Sequence, residues 1–191
     1  MNVGKELRRA RLERGMTVRR LAEIGKTSPA AISQIETGAR GVSVERVQTL
    51  LLNTGHRLVS IPTIASTPAE VSAFIKNDLD EGKPLRAYRQ FIGCSDELRG
   101  LERGVRVAVT LIRPESTGNP LYDAALASLV EHWLSFDQLP IPSWVTEDAF
   151  HLSALTHLSE APWESAPEPS EVPDAFLLHN VLFPADALES I

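Results

Sequence analysis

The chain has little cysteine, no long apolar run and no metal-ligand spacing, and each shortage removes a class of function. One cysteine, Cys94, in 191 residues leaves no internal disulfide framework and no multi-cysteine zinc site. Its default reading is a small buried hydrophobe. No apolar stretch is long enough for a membrane helix. The opening MNVGKELRRARLERG is too charged for a secretory signal, so the expectation is a cytoplasmic protein. His151 and His157 stand six apart with no third ligand nearby, and His132 merely follows Glu131, so no metal and no cofactor are expected. Ser116-Thr117-Gly118-Asn119 lacks a following Lys and reads as a turn rather than a phosphate loop. Glu160, Glu164, Glu168 and Glu171 are scattered among prolines like a solvated acidic segment, not a catalytic carboxylate pair. No enzyme is expected.

What the chain does have is an uneven charge. Residues 1–60 carry eleven Lys/Arg against five Asp/Glu, a net of +6. Residues 61–191 carry eight basic and twenty acidic residues, a net of −12. A basic head on an acidic body implies a polyanion-binding module joined to something with another task.

The head reads as four or five short helices. Val3, Leu7 and Ala10 share one helical face, and Gly15 ends that helix. Thr17 stands at an N-cap position before Val18, Leu21 and Ala22. Gly25 provides a turn, read as a residue that tolerates unusual dihedrals. Ser28 is a second N-cap, with Pro29 at the first helical position and Ile32 and Ile35 inward. Ser43 caps a further helix carrying Val44, Val47, Leu50 and Leu51, with Gly55 just past its end. Arg57–Ile61 is β-branched and stopped by Pro62, an extended strand. A lone short strand is unstable, so it either pairs with its symmetry mate and closes a dimer or packs on its own second domain.

Two short helices with a tight turn, an inward apolar face of Ala31, Ile32 and Ile35, and short polar residues outward meet the needs of a DNA-reading pair. Residues 3–62, through LRRARLERGMTVRRLAEIGKTSPAAISQIETGARGVSVERVQTLL, resemble the XRE-type, lambda-repressor-like helix-turn-helix family. The resemblance implies a mainly α fold opening with a five-helix DNA-binding domain that works as a homodimer on palindromic double-stranded operators. Carried over by position, it places Ser28, Pro29, Ala30, Ser33, Gln34 and Thr37 at the DNA, with Arg19 and Arg40 near phosphates. It also implies a pair between Arg11 and Glu36. Val18 stands where the family commonly has Gln, which removes one polar contact. Gln34 is the best candidate for a bidentate contact, to adenine, and Ala30 suits a thymine methyl. With so few polar readers, specificity leans on DNA shape and dimer spacing.

The body is expected as a mostly helical acidic domain over 66–139 and a proline-rich tail over 140–191. Thr67-Pro68-Ala69-Glu70 has capping-box form. Pro84 opens a helix with Leu85, Tyr88, Phe91 and Ile92 on one side, and Asn119-Pro120 opens a longer one. Arg103–Ile112 fits strand or helix. Seven of the thirteen prolines fall from Pro140 to Pro184, which excludes long helices there. The tail is still too apolar for disorder in isolation, so it either wraps over the body or orders against a partner. Three tasks for the body stay open: toxin-binding half of an antitoxin, small-molecule sensor, or plain dimerisation domain of a repressor. The pattern PEST-GNPLYDAALASLVEHWL, LPIPSWV, APWES and FLLHNVLFPADALESI resembles the C-terminal region of actinobacterial antitoxins that accompany AbiEii-type nucleotidyltransferase toxins. That resemblance implies a toxin partner and a binding role for Trp133, Trp144, Trp163 and Phe183.

Overall fold

The computed structural model describes residues 3–159 and 165–188. Glu160, Trp163 and Glu164 lie outside the described residues. The chain is mainly helical and divides into two compact units, Met1–Ser60 and Ile61–Ile191.

The first unit contains α1 (Val3–Glu13), α2 (Val18–Ile24), α3 (Pro29–Glu36) and α4 (Val44–Asn53). The local sequence sets the starts. Thr17, Ser28 and Ser43 each sit in extended backbone, and each side chain accepts from the N–H three residues on, of Arg20, Ala31 and Arg46. Those contacts satisfy donors that a helix start otherwise leaves open. Gly15 and Gly55 take positive φ at the ends of α1 and α4, where a side chain would be strained. Leu7, Ala10, Leu21, Ala22, Ile32, Ile35, Val47, Leu50 and Leu51 form the core. The resemblance implied five helices, whereas the described residues of this unit form four. After Gly55 the chain holds a short β-branched run that Pro62 stops, which offers no helical face to bury. The strand expected at Arg57–Ile61 is also absent. That segment has no ladder partner among the described residues, and Val59 is 76% exposed.

The second unit is built around one helix. It contains α5 (Pro68–Asp80), α6 (Pro84–Gly100), α7 (Arg103–Thr110), α8 (Pro120–Phe136) and the short α9 (Asp174–Leu178). A two-residue parallel pair joins β1 (Thr156–His157) to β2 (Val181–Leu182). Residues 122–130 of α8 are buried without a break, so this helix is covered on all sides. The capping box at Thr67 and Glu70 forms in full at the start of α5.

Arg103–Ile112, which fitted strand or helix, is helical through Thr110. Its buried residues are Arg106, Val109 and Thr110, at helical spacing, while Val105 and Val107 are only partly covered. The Arg106 guanidinium donates to the carbonyls of Arg99, Leu101 and Trp133 and to Asp137 at 2.7–3.1 Å. A guanidinium can satisfy several oxygens at once, which makes it a closing piece for the ends of α6 and α8.

The tail is part of the core. Trp144, Val145, Phe150, Val172, Phe176, Val181 and Phe183 are buried in the same cluster as α5, α6 and α8. Phe183 meets Phe91 edge-on at 5.3 Å and stacks on Phe176 at 5.5 Å. This corrects the binding role that the resemblance implied for Trp133, Trp144 and Phe183. Trp133 donates to Ser95 Oγ at 3.1 Å and Trp144 to the Thr110 carbonyl at 2.9 Å. An indole buried with its N–H satisfied belongs to a core.

Candidate nucleic-acid interface

The site is the pair α2 and α3 with the turn between them. Ala22 is buried where the two helices cross, and its small side chain permits the close approach. The turn closes by hydrogen bonds from Gly25 N–H to the Leu21 carbonyl at 2.8 Å and from Thr27 N–H to the Ala22 carbonyl at 2.9 Å.

Gly25 is needed for space rather than for a rare dihedral. Its φ is −76°. A Cβ there would lie 2.7 Å from Leu50 Cδ2 and 2.9 Å from the Leu21 carbonyl oxygen. Lys26 takes the positive φ instead, at 49°. Arg46 reaches from α4 to donate to the Gly25 carbonyl at 2.6 Å, which fastens the turn to the unit.

The third helix is then held from behind. Ala31, Ile32, Ile35 and Glu36 point into the unit. Arg11 donates through Nε and Nη2 to both oxygens of Glu36 at 2.7 and 2.9 Å, the pair that the resemblance implied. Its Nη1 donates to the Met16 carbonyl at 2.7 Å. Two parallel bonds fix orientation as well as distance. At Gly4, any Cβ would overlap the Ile35 carbonyl oxygen, so only glycine lets α1 pack this closely on α3.

All eight residues expected at the DNA are exposed or partly exposed: Arg19, Ser28, Pro29, Ala30, Ser33, Gln34, Thr37 and Arg40. Ala30, Ser33, Gln34 and Thr37 follow i, i+3, i+4, i+7 spacing and so share one face of α3. Ser28 and Pro29 stand at its N-terminus, where open N–H groups and the helix dipole favour an anion. Arg19 lies on α2 and Arg40 beyond α3, apart from that face in sequence. Thr37 turns its hydroxyl proton inward, toward the Ser33 carbonyl at 2.9 Å, which leaves its methyl and oxygen for any outward contact. Val18, in the position of the family's Gln, is packed against the core.

Lys26, exposed and with a positive φ, is a residue that the sequence did not single out. It stands in the turn shortly before α3, and the only hint was its place after Gly25.

The helix-turn-helix family model matches residues 7–55. The first unit is a helix-turn-helix domain. Neither the curated proteins nor the solved structures include a match to the chain. The helix-turn-helix supports a DNA-binding transcriptional regulator. No helix among the described residues is long and apolar enough to cross a membrane.

Proposed function

We propose that the chain is a sequence-specific repressor that binds a palindromic operator as a homodimer, with bases read by Gln34, Ser33 and Ala30. The observation that carries this reading is the two-sidedness of α3. Its inner side is locked by Ile32, Ile35 and the Arg11–Glu36 pair, and its outer side presents only short polar or apolar groups. A rigid helix with small outward groups suits close entry into a major groove. The unpaired Arg57–Ile61 segment supports the dimer, since two copies lying antiparallel would satisfy each other's backbone groups.

The test uses the full chain on a selected operator. Gln34→Ala removes about 1–3 kcal/mol of discrimination at one base position of each half-site. Arg40→Ala weakens all sequences alike and reduces the salt slope by about one. Unchanged discrimination in Gln34→Ala removes that residue from the reading set.

We further propose that residues 66–191 neutralise a nucleotidyltransferase-type toxin, so that the chain is an antitoxin repressing its own promoter. The resemblance of the C-terminal region and the net charge of −12 over 61–191 support this, because an acidic body steers a basic nucleic-acid-modifying enzyme. The tagged full chain is expected to capture one stoichiometric protein that is toxic alone and harmless with the chain. A captured partner without toxicity, or none, ends the antitoxin reading and leaves the repressor.

A further inference from the structure

The last basic side chain, Lys or Arg, is Arg113. From Pro114 to Ile191 there are thirteen Asp or Glu residues and no Lys or Arg. Part of this charge is met within the fold: Arg103 and Arg106 hold Asp137, and Arg113 holds Glu147. The surface that α8 and α9 present is different. Neither helix contains a Lys or Arg.

A groove of about 370 Å³ opens between these two helices, lined in part by Glu131, His132, Phe136, Asp174, Ala175 and Leu178. Phe136 is 74% exposed and Leu178 62% exposed, each at the last residue of its helix. The Phe136 ring rests edge-on against buried Trp133 at 6.0 Å, so its position is held although most of it meets solvent. Glu131 is fixed by the buried His179, whose Nε2 lies 2.7 Å from its carboxylate. Asp174 is exposed beside it on the groove. Two large apolar side chains on one groove form a patch of the kind that marks an interaction surface. The carboxylates decide the occupant. A second copy of the same face would offer these carboxylates no Lys or Arg to pair with, since neither helix carries one.

We propose that the α8–α9 groove docks a cationic amphipathic segment of a partner protein. Its apolar residues seat between Phe136 and Leu178, and its Lys or Arg side chains face the exposed Asp174. This rests on the reading of residues 66–191 as a partner-binding body and names where on that body the partner sits.

The full chain is titrated with a labelled Leu/Lys amphipathic peptide of about five helical turns and with a Leu/Glu counterpart of the same apolar face. The Leu/Lys peptide binds, more weakly as salt rises, and the Leu/Glu peptide does not. Phe136→Ser and Leu178→Ser each weaken binding by about tenfold or more. Leu155→Ser, at a residue 50% exposed elsewhere in the unit, leaves it unchanged. Equal affinity in Phe136→Ser and the parent chain means charge attraction alone and overturns the groove. Loss of self-association in Phe136→Ser by sedimentation, with no peptide binding, assigns the face to a second copy and also overturns it. A toxin that the Phe136→Ser chain still captures and neutralises leaves the antitoxin reading intact and removes the groove. Groove-dependent peptide binding without any toxic partner does the reverse.

Discussion

Both units bury an arginine, and they use it differently. In the first, Arg11 meets one carboxylate, Glu36, in two parallel bonds. That ties α1 to α3 and fixes how α3 is presented. In the second, Arg106 serves three carbonyls and shares Asp137 with Arg103. That closes the ends of α6 and α8. The contrast shows what each unit is built to hold: the head holds the angle of one helix, the body holds a core assembled from distant segments.

The largest effects break that contrast directly. Glu36→Ala leaves the Arg11 guanidinium buried without its counter-ion and costs about 3–5 kcal/mol. Amide exchange then rises in α1 and α3, and operator affinity falls although Glu36 faces away from the recognition surface. Arg106→Met strands carbonyls at two helix ends and costs about 3 kcal/mol. Its exchange rises at the ends of α6 and α8. If both variants loosen the same set of amides, the two arginines are not doing separate tasks.

Gly25→Ala comes next and sharpens the head. The added Cβ lies 2.7 Å from Leu50 Cδ2 and 2.9 Å from a backbone oxygen. The side chain can give way but the carbonyl cannot move freely, so the cost is about 1–3 kcal/mol. Because the strain falls in the turn, operator binding weakens more than thermal stability does. A variant with parent affinity means the turn absorbs the methyl without moving α3.

The head was more legible in the sequence than the body, for a physical reason. Helix starts depend on residues three apart, so Thr17, Ser28 and Ser43 announce themselves as caps in the head, as Thr67 does in the body. The outward face of α3 follows from the apolar spacing of Ile32 and Ile35. What depended on distant parts of the chain was hidden. The role of Gly25 is set by Leu50, so the sequence pointed to dihedral freedom where the structure needs room. Arg103–Thr110 is rich in valine and reads equally as a strand until Arg106 is seen to reach three carbonyls. The resemblance gave Trp133 and Trp144 a binding role, and nothing local in the sequence shows that Ser95 and Thr110 receive their N–H groups. Arg57–Ile61 has strand composition, but a ladder needs a second strand, and the described residues of the first unit supply none.

The smallest effect concerns acid. The Thr67 backbone N–H donates to the Glu70 carboxylate at 2.9 Å and holds its pKa below the ordinary carboxylate value. A carboxyl whose pKa is lower when folded stabilises the folded state above its unfolded pKa, about 4.3. That contribution drains away as pH falls through the lower folded value. The start of α5 therefore weakens below about pH 4, while the starts of α2 and α3, capped by the hydroxyls of Thr17 and Ser28 and with no carboxylate in the first turn, keep their capping bonds there. Glu70→Gln is expected to flatten the pH dependence of amide exchange in the first turn of α5 and to leave the exchange at Arg20, Ala31 and Arg46 as it was. If the first turn of α5 loosens in acid as much in the Glu70→Gln variant as in the parent chain, the sensitivity lies outside the capping box.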